Sequence, residues 1–505
     1  MKGSVRSLGI FFVIFLFLSV LIFAGPSNWV RFYSGDFPWG NIPICSSENG
    51  FVVSGGKSCG EDTVGFEIVK LTFAGNPYWG KIYYTEENYE DLFSYIDMVY
   101  PNPDGSYIIG GEVKFGYHFF GAFFIQEAYA FLSKVDSDGN VLWSKFYKKV
   151  SVEGEYLYEG AMIPVSDGGV IIVGIAVKKN SGNEGSDSQS IIFKIDSEGN
   201  IVWKKSFPDL DYYLCSIIKV DNDNYLISGN NSKNSIIIKI DSSGNIIWSK
   251  KIVNKTIISL LQAPDGNIIL LEKFGLIKIS QSGKIFWGKY YHNGYAFAHL
   301  EKMCLTKDGE LFIIGKFWFQ ENAPKEVFLK IDLDGNVVWA REWNYPSIPN
   351  FDYAEIFNTN DNGVLVSAYY VSDERYIILK FDLEHLSDSN SDSCDLLSDY
   401  PVDIESYDVS ILPEYLSSSE TNIISNTVNL ETCDVSSLSD IVICWENILD
   451  DVEGKNVDIV DLSRIMNMIS GNLGLDPHYD LNGDGKVDVS DAEILSQFIV
   501  SNLFY

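Results

Sequence analysis

The amino-acid sequence predicts an all-β fold: a seven-bladed β-propeller closed by its own N-terminal strand, followed by a Ser/Asp-rich segment and a small α-helical module. Two alternating strand motifs predict the propeller, because each pair of motifs supplies the strands of one blade. A change from strand spacing to helix spacing predicts the C-terminal module. With 505 residues, the chain is long enough for a repeat array and additional modules.

The first motif reads KIDLDGNVVW at 330–339: apolar and polar residues alternate, the pattern breaks at a glycine, and an apolar run ends in Trp. Its copies begin at Lys70, Lys134, Lys194, Lys239, Lys278, Lys330 and Lys380, and the last copy keeps only the start. A period of two that is interrupted by a turn indicates a β-hairpin. The glycine supplies the positive φ that a tight hairpin loop needs.

The second motif is a turn followed by an apolar run, as in PDGSYIIGG from Pro103 and KDGELFIIG from Lys307. Seven such runs alternate strictly with the seven Lys-centred motifs. One unit therefore holds four antiparallel strands, and radial repetition of such units makes a propeller.

The ring is predicted to close through the N-terminal strand. The seventh unit lacks its Trp strand, whereas the N-terminus carries a spare one around Trp29. We expect residues 28–34 to form the outer strand of the last blade by pairing with residues 376–382. Closure of this kind leaves only short, protected sheet edges.

Many aromatic and basic residues occupy repeat positions. The equivalent Trp residues are Trp29, Trp79, Trp143, Trp203, Trp248, Trp287 and Trp339. Two residues after them stand Arg31, Lys81, Lys145, Lys205, Lys250, Lys289 and Arg341. We expect the Trp rings to pack in the core. We expect these cations, and the Lys residues that open the third strands, to lie on solvated outer faces.

Residues 28–385, with a Gly followed four residues later by Trp in six of the seven motif copies, resemble the quinoprotein-like propellers. They resemble more closely the extracellular propeller repeats common in bacteria and archaea. The resemblance implies the fold but not the activity, because one fold hosts many functions. A quinone-dependent dehydrogenase would require a vicinal Cys pair and an eighth blade, and the sequence shows neither.

Residues 1–27 have the layout of a secretory signal peptide: Lys2 and Arg6 precede an apolar run that ends near Ala24. The alternative is an uncleaved membrane anchor. Both alternatives predict that the rest of the chain is secreted or on the cell surface.

The seven cysteines suit an oxidising compartment. Cys45 and Cys59 flank one predicted hairpin, so we expect a local disulfide between them. Cys433 and Cys444 lie close together near the C-terminus and predict a second local disulfide. The two cysteines in apolar runs, Cys215 and Cys304, are expected to be buried thiols.

Residues 386–447 are rich in Ser and Asp and are predicted to be a linker or a short β segment. From residue 448 the spacing becomes helical. Residues 480–491 read DLNGDGKVDVSD, a spacing at which oxygen ligands converge on a calcium ion. The ligands are Asp480, Asn482, Asp484, the backbone carbonyl of Lys486, Asp488 and Asp491.

Residues 457–461 repeat the pattern of residues 487–491, and each copy is followed by a predicted helix. This duplicated half EF-hand in residues 448–505 resembles a dockerin, the module that docks secreted proteins to a cohesin. The resemblance implies Ca²⁺ as cofactor and a cohesin-like protein as partner. The first loop is one residue short, so Asp451, Asp458 and Asp461 predict a weak second metal site.

The candidate binding face comprises the variable connections between strands, which carry clustered aromatic residues. The candidate residues are Trp39, Tyr117, His118, Phe119, Trp318, Trp343 and Tyr353. Exposed aromatics on one rim suit a polysaccharide or a protein partner. The alternative is that they pack against one another as local loop cores.

Composition and motifs argue against several classes of function. The formal net charge of −32 makes nucleic acid an unfavourable partner, and membrane contact is expected only if the N-terminal segment stays uncleaved. We predict no catalytic residue, because the His residues lack metal-ligand spacing and no Ser stands in a nucleophile elbow. The prediction is an extracellular binding or scaffolding protein. The alternatives are a glycoside hydrolase or lyase, and a membrane-anchored structural protein.

Overall fold

The computed structural model describes the strands and turns of residues 28–446. It leaves out residues 1–27 and 447–505 and the ranges 35–43, 48–49, 59–63, 73–76, 85–91, 103, 120–121, 150–154, 179–187, 208–211, 222, 294–295, 319–323, 344–352, 360–362, 371–374, 383–396, 400–402, 407–410, 414–422, 428–430 and 435–438. None of the helices in the described part is long and apolar enough to span a membrane.

The described residues form seven antiparallel blades, with strands numbered along the chain. Strand β1 is Asn28–Ser34. Blade 1 holds β2 Ile44–Ser47, β3 Gly50–Ser58, β4 Val64–Leu71 and β5 Pro77–Tyr84. Blade 2 holds β6 Leu92–Pro101, β7 Tyr107–Phe119, β8 Ala122–Val135 and β9 Val141–Lys149. Blade 3 holds β10 Glu155–Pro164, β11 Val170–Lys178, β12 Ser188–Ile195 and β13 Ile201–Phe207.

Blade 4 holds β14 Tyr213–Lys219, β15 Tyr225–Asn230, β16 Ser235–Ile240 and β17 Ile246–Ile252. Blade 5 holds β18 Ile257–Gln262, β19 Ile268–Glu272, β20 Gly275–Ile279 and β21 Ile285–Asn293. Blade 6 holds β22 Ala296–Leu305, β23 Leu311–Phe317, β24 Lys325–Ile331 and β25 Val337–Trp343. Blade 7 holds β26 Tyr353–Asn358, β27 Gly363–Tyr370 and β28 Arg375–Asp382, together with β1. The predicted all-β, seven-bladed propeller is confirmed.

The hydrophobic core lies between adjacent blades. One buried cluster joins Leu271 and Leu276 of blade 5 to Leu311 and Val327 of blade 6. Every residue of β16 is buried, because both faces of a middle strand are covered by neighbouring blades. This packing explains why the second and third strands read as continuous apolar runs rather than as alternating patterns.

The ring closes as the sequence predicts. Strand β1 pairs antiparallel with β28, from Trp29 opposite Lys380 to Ser34 opposite Arg375. The N-terminal strand therefore supplies the fourth strand of blade 7. It is not the outermost strand, however, because a further strand from the C-terminal part of the chain pairs with its other edge.

Six strands between residues 397 and 446 extend six of the blades outward, and we call β29–β34 the outer belt. They are β29 Leu397–Asp399 on blade 6, β30 Asp403–Ser406 on blade 5, β31 Ile411–Pro413 on blade 4, β32 Ile423–Thr427 on blade 2, β33 Glu431–Asp434 on blade 1 and β34 Ser439–Glu446 on blade 7. Composition indicates a linker or short strands here. It does not indicate that the strands encircle the propeller, because pairing to a distant edge leaves no local sequence signal.

The predicted Cys45–Cys59 disulfide is wrong. Cys45 lies in β2 opposite Val52, and its thiol is free and buried. Strand β3 ends at Ser58, and Cys59 lies outside the described residues. Cys433 lies in β33 and Cys444 in β34, on the neighbouring blades 1 and 7. Their predicted disulfide stays a prediction.

Candidate functional site

The two faces of the propeller differ in kind. Because the strands of a blade alternate in direction, the Asp-Gly and Gly-Asn turns lie together on one face, which we call the turn face. The connections between second and third strands and between successive blades lie on the opposite, variable-loop face. The turns of blades 2 to 6 are described on the turn face apart from residues 103 and 222, so the contacts of these five blades can be compared.

On the turn face, the docking Trp residues of blades 1, 2, 3 and 5 pack on the hairpin of the following blade. A Cβ atom placed on Gly199 would lie 3.1 Å from the Trp143 ring, and one on Gly244 would lie 2.7 Å from the Trp203 ring. Trp143 also donates from Nε1 to the carbonyl oxygen of Ser197 at 2.8 Å. The hairpin glycine thus has two roles: it adopts a positive φ and leaves room for the neighbouring indole.

The basic residue two positions after the Trp is also part of this junction in blades 1 to 5. Lys81 donates from Nζ to the carbonyl oxygen of Asp138 at 2.7 Å and to Asn140 Oδ1 at 3.1 Å in the next blade. Lys145 and Lys205 donate to Asn200 Oδ1 and Asn245 Oδ1 at 2.9 and 2.8 Å. Lys81 and Lys205 are partly exposed, as expected for an outer face, but the ammonium groups of all three also bond to the hairpin of the next blade, which the sequence did not indicate.

The sequence predicts that the motif Lys residues open the third strands, but they stand at the ends of those strands, next to the turn face. They are buried ion-pair partners, which corrects the expectation of solvation. Lys134 pairs with Asp104 at 2.9 Å, and Lys278 pairs with Asp265 at 2.7 Å, each within one blade. Hydrogen bonds from Ser106 and Lys134 lower the pKa of Asp104 to about 2. The same Lys–Asp ion pair occurs in blades 2 to 6. These polar groups of the turn face are therefore engaged in contacts within the fold.

The predicted binding residues belong to the variable-loop face, and two of them differ in their exposure to solvent. Trp318 follows β23 and is 53% exposed, whereas Trp343 at the end of β25 is only 3% exposed. Trp343 lies opposite Leu397 of the outer belt, and its burial fits the alternative of local packing for this residue rather than an exposed binding group. Belt pairing could not be anticipated from the local sequence around Trp343.

The remaining predicted residues lie partly outside the described chain. The end of β7, Tyr117, His118 and Phe119, pairs with the start of β8 and lies on the variable-loop face. Tyr353 begins β26 on that face. Trp39 lies in a connection outside the described residues. The calcium-loop residues of 480–491 and Asp451, Asp458 and Asp461 also lie outside them, and no metal-ligand cluster occurs within the described residues.

A charged cluster that sequence reasoning missed lies beside Trp318. Lys316 pairs with Glu301 at 2.9 Å and with Glu326 at 3.3 Å, and Glu326 is fully buried. Burial alone would lower the pKa of Lys316, but the two carboxylates outweigh it and raise that pKa. The cluster fixes the end of β23 from which the exposed Trp318 emerges.

His299 lies opposite Lys316 in the same sheet. Burial and the nearby Lys273 lower the pKa of His299, so the imidazole is neutral at neutral pH. A neutral imidazole adds no charge to the neighbouring group, in which one Lys cation faces two Glu carboxylates. His299, Lys316 and Glu326 lie opposite one another on three different strands, so only the pairing register of the sheet shows that they are neighbours.

The first strands of successive blades contact one another around the ring and form its innermost layer. In this layer Lys302 of β22 forms an ion pair with Glu355 of β26. The nearby Tyr100 has its pKa raised to about 12, first by burial and then by Glu355. These groups provide charge complementarity across the inner layer, but they lie in no nucleophile–base arrangement within the described chain.

No family model and no curated protein matches this chain. Solved structures with a similar arrangement include a protein of unknown function from Bacteroides caccae, at 14% identity and a TM-score of 0.34, covering 62% of this chain and 93% of that one. A protein of unknown function from Dyadobacter fermentans DSM 18053 has 12% identity and a TM-score of 0.38, covering 71% and 99%. The Neurospora crassa Pan2 WD40 domain has 10% identity and a TM-score of 0.33, covering 56% and 88%. Likeness at this level transfers no function.

Proposed function

We propose that this protein is an extracellular binding protein whose variable-loop face takes a polysaccharide or protein ligand, and whose C-terminal segment 448–505 attaches it to a partner in a calcium-dependent manner. The observation that carries the proposal is the asymmetry of the two faces. The turn face is occupied by repeated structural contacts, whereas the variable-loop face bears the connections that differ between blades.

Trp318 supports the choice of face. A large aromatic ring that is half exposed, on a strand end held by buried ion pairs, is preorganised for stacking. Sugar rings present apolar C–H faces, and an exposed indole offers a flat apolar surface to them. A protein ligand would use the same ring as an anchor.

The attachment role rests on the sequence of residues 480–491. Carboxylate and carbonyl oxygens are the ligands that Ca²⁺ prefers, and their spacing here allows all of them to face one ion. A cohesin-like protein is the proposed partner. Secretion through residues 1–27 would place both faces of the protein in a calcium-rich, oxidising compartment.

The ligand proposal is tested by affinity electrophoresis of the full chain against soluble xylan, pectin and glucomannan. Retardation should be lost in Trp318→Ala and retained in Phe286→Ala. Phe286 is a matched control, because it is 51% exposed but lies near the turn face. Retardation that is equal in the two variants would overturn the assignment to the variable-loop face. Absence of retardation in all gels would exclude these polysaccharides and favour a protein ligand.

The calcium proposal is tested by titration calorimetry of the full chain. We expect one tight site, which the double variant Asp480→Ala/Asp484→Ala should lose. Asp451→Ala should leave the tight site intact, since that residue belongs to the weaker loop. Stoichiometric tight binding in the double variant would show that the ion binds elsewhere.

A further inference from the structure

An apolar band runs across six of the seven blades near the turn face. In six blades the residue before the docking Trp is a large, exposed apolar residue. These residues are Tyr78, Leu142, Val202, Ile247, Phe286 and Val338. The equivalent residue of blade 7 is Asn28, which is polar and is paired with Glu446. A repeated exposed apolar position is a surface that favours a covering element.

The outer belt leaves most of this band uncovered. Strand β29 pairs with residues 341–343 of β25, and β31 pairs with residues 250–252 of β17. Both pairings use the half of the fourth strand nearest the variable-loop face. The half nearest the turn face, which carries Val338 in β25 and Ile247 in β17, has no belt strand among the described residues.

Strand β34 ends near the turn face, at the same level along the fourth strands as the apolar band. It begins with Ser439 opposite Ser34, near the variable-loop face, and ends with Glu446 opposite Asn28, near the turn face. The belt visits blades 6, 5, 4, 2, 1 and 7 in that order. A chain that continues in the same sense reaches blade 6 next, at the half that β29 leaves open.

We propose that residues 447–505 dock on blade 6 along the turn-face half of β25, centred on Val338. The occupant has suitable chemistry: Leu462, Ile465, Met466 and Ile469 are spaced as one apolar stripe of a helix. Glu446, the last described residue, lies at the turn-face end of blade 7, and blade 6 is one of the two blades next to it. This inference goes beyond the proposed function and does not require that the calcium loop is occupied.

The docking is tested in the full chain with the photoreactive amino acid p-benzoylphenylalanine placed at position 338. Position 247 is the matched control, because Val338 and Ile247 are both 50% exposed at the same repeat position. We expect intramolecular cross-links from position 338 to peptides of 447–505, and none from position 247. Equal yields, no cross-link, or only intermolecular cross-links would overturn the proposal.

Two further measurements sharpen the result. Position 78 lies in blade 1, on the other side of blade 7. If the photoreactive group captures residues 447–505 from position 78 and not from position 338, the assignment to blade 6 is overturned. Hydrogen exchange should be faster at residues 337–340 in a chain ending at Glu446 than in the full chain, with residues 246–249 unchanged. Identical exchange at residues 337–340 in the two chains would also contradict the docking.

Discussion

Lys289 of blade 5 donates from Nζ to the carbonyl oxygen of Asp334 at 2.6 Å and to Asn336 Oδ1 at 3.0 Å, both in the hairpin of blade 6. One side chain thus binds the backbone and the side chain of a turn in the next blade. Tyr291, two residues later, donates its hydroxyl to the carbonyl oxygen of Gly335 in the same turn at 3.1 Å. The joints between blades therefore combine aromatic packing with charge-assisted hydrogen bonds.

Replacing Lys289 with Met should lower the free energy of unfolding by about 1 kcal/mol, because it removes partly solvated hydrogen bonds and keeps most of the apolar stem. Chemical denaturation of the full chain measures the change. Lys307→Met, at an exposed turn position, should be within about 0.5 kcal/mol of wild type. If the two variants are equally stable, the inter-blade contact contributes nothing.

Gly335→Ala should be more destabilising than Gly105→Ala, although both glycines have almost the same positive φ, +79° and +80°. The backbone conformation costs a non-glycine residue about 1–2 kcal/mol at either site. Only at Gly335 would the new Cβ clash, at 2.8 Å from Lys289 and 3.0 Å from the Trp287 ring. We expect an additional cost of about 1–3 kcal/mol there. Equal losses in thermal denaturation would argue against tight docking of the Trp.

Acid should destabilise the propeller through its turn carboxylates. The folded-state pKa of Asp104 is about 2, below its ordinary value, because Ser106 and Lys134 stabilise the carboxylate. A lowered folded-state pKa means that this stability is present above about pH 4 and is lost as the pH falls towards 2. Unfolding free energies measured across this window should fall more steeply in wild type than in Asp104→Asn. Parallel pH profiles would contradict the prediction.

The Cys45 thiol should be unreactive in the folded protein. It is buried, and burial raises its pKa, so neither access nor thiolate formation favours alkylation. Without reductant, iodoacetamide should modify Cys45 only after guanidinium unfolding, as read by mass spectrometry. A Cys45 that stays unmodified until reductant is added would instead indicate a disulfide.

Strand β34 should stabilise the ring closure. A chain that ends at residue 438 exposes the free edge of β1, whereas one that ends at Glu446 retains the β1–β34 pairing. Each backbone hydrogen bond contributes about 1 kcal/mol net, so the shorter chain should lose several kcal/mol and show a lower Tm. Equal melting temperatures of the two chains would show that β34 does not support the closure.

The sequence alone determined the number of blades, the strands within them and the closure by residues 28–34. These features depend on local signals: a period of two, hairpin glycines, and a motif that is missing at one end and spare at the other. The repeat also marked the Trp residues as packing groups. It did not show that their Lys neighbours bond to the next blade, because a cation on an alternating strand has the same pattern whether or not it has such a partner.

Only the tertiary structure decided which groups meet across blades. Lys81 and Asn140 are 59 residues apart in the chain, and no local pattern encodes such a pair. The same holds for the outer belt, whose short strands acquire partners only when the fourth strand of each blade presents an open edge. The closed ring brings these edges close together in space, although they are far apart in the sequence. The belt, the burial of Trp343 and the free thiol of Cys45 depend on such distant contacts and could not be predicted from local sequence patterns.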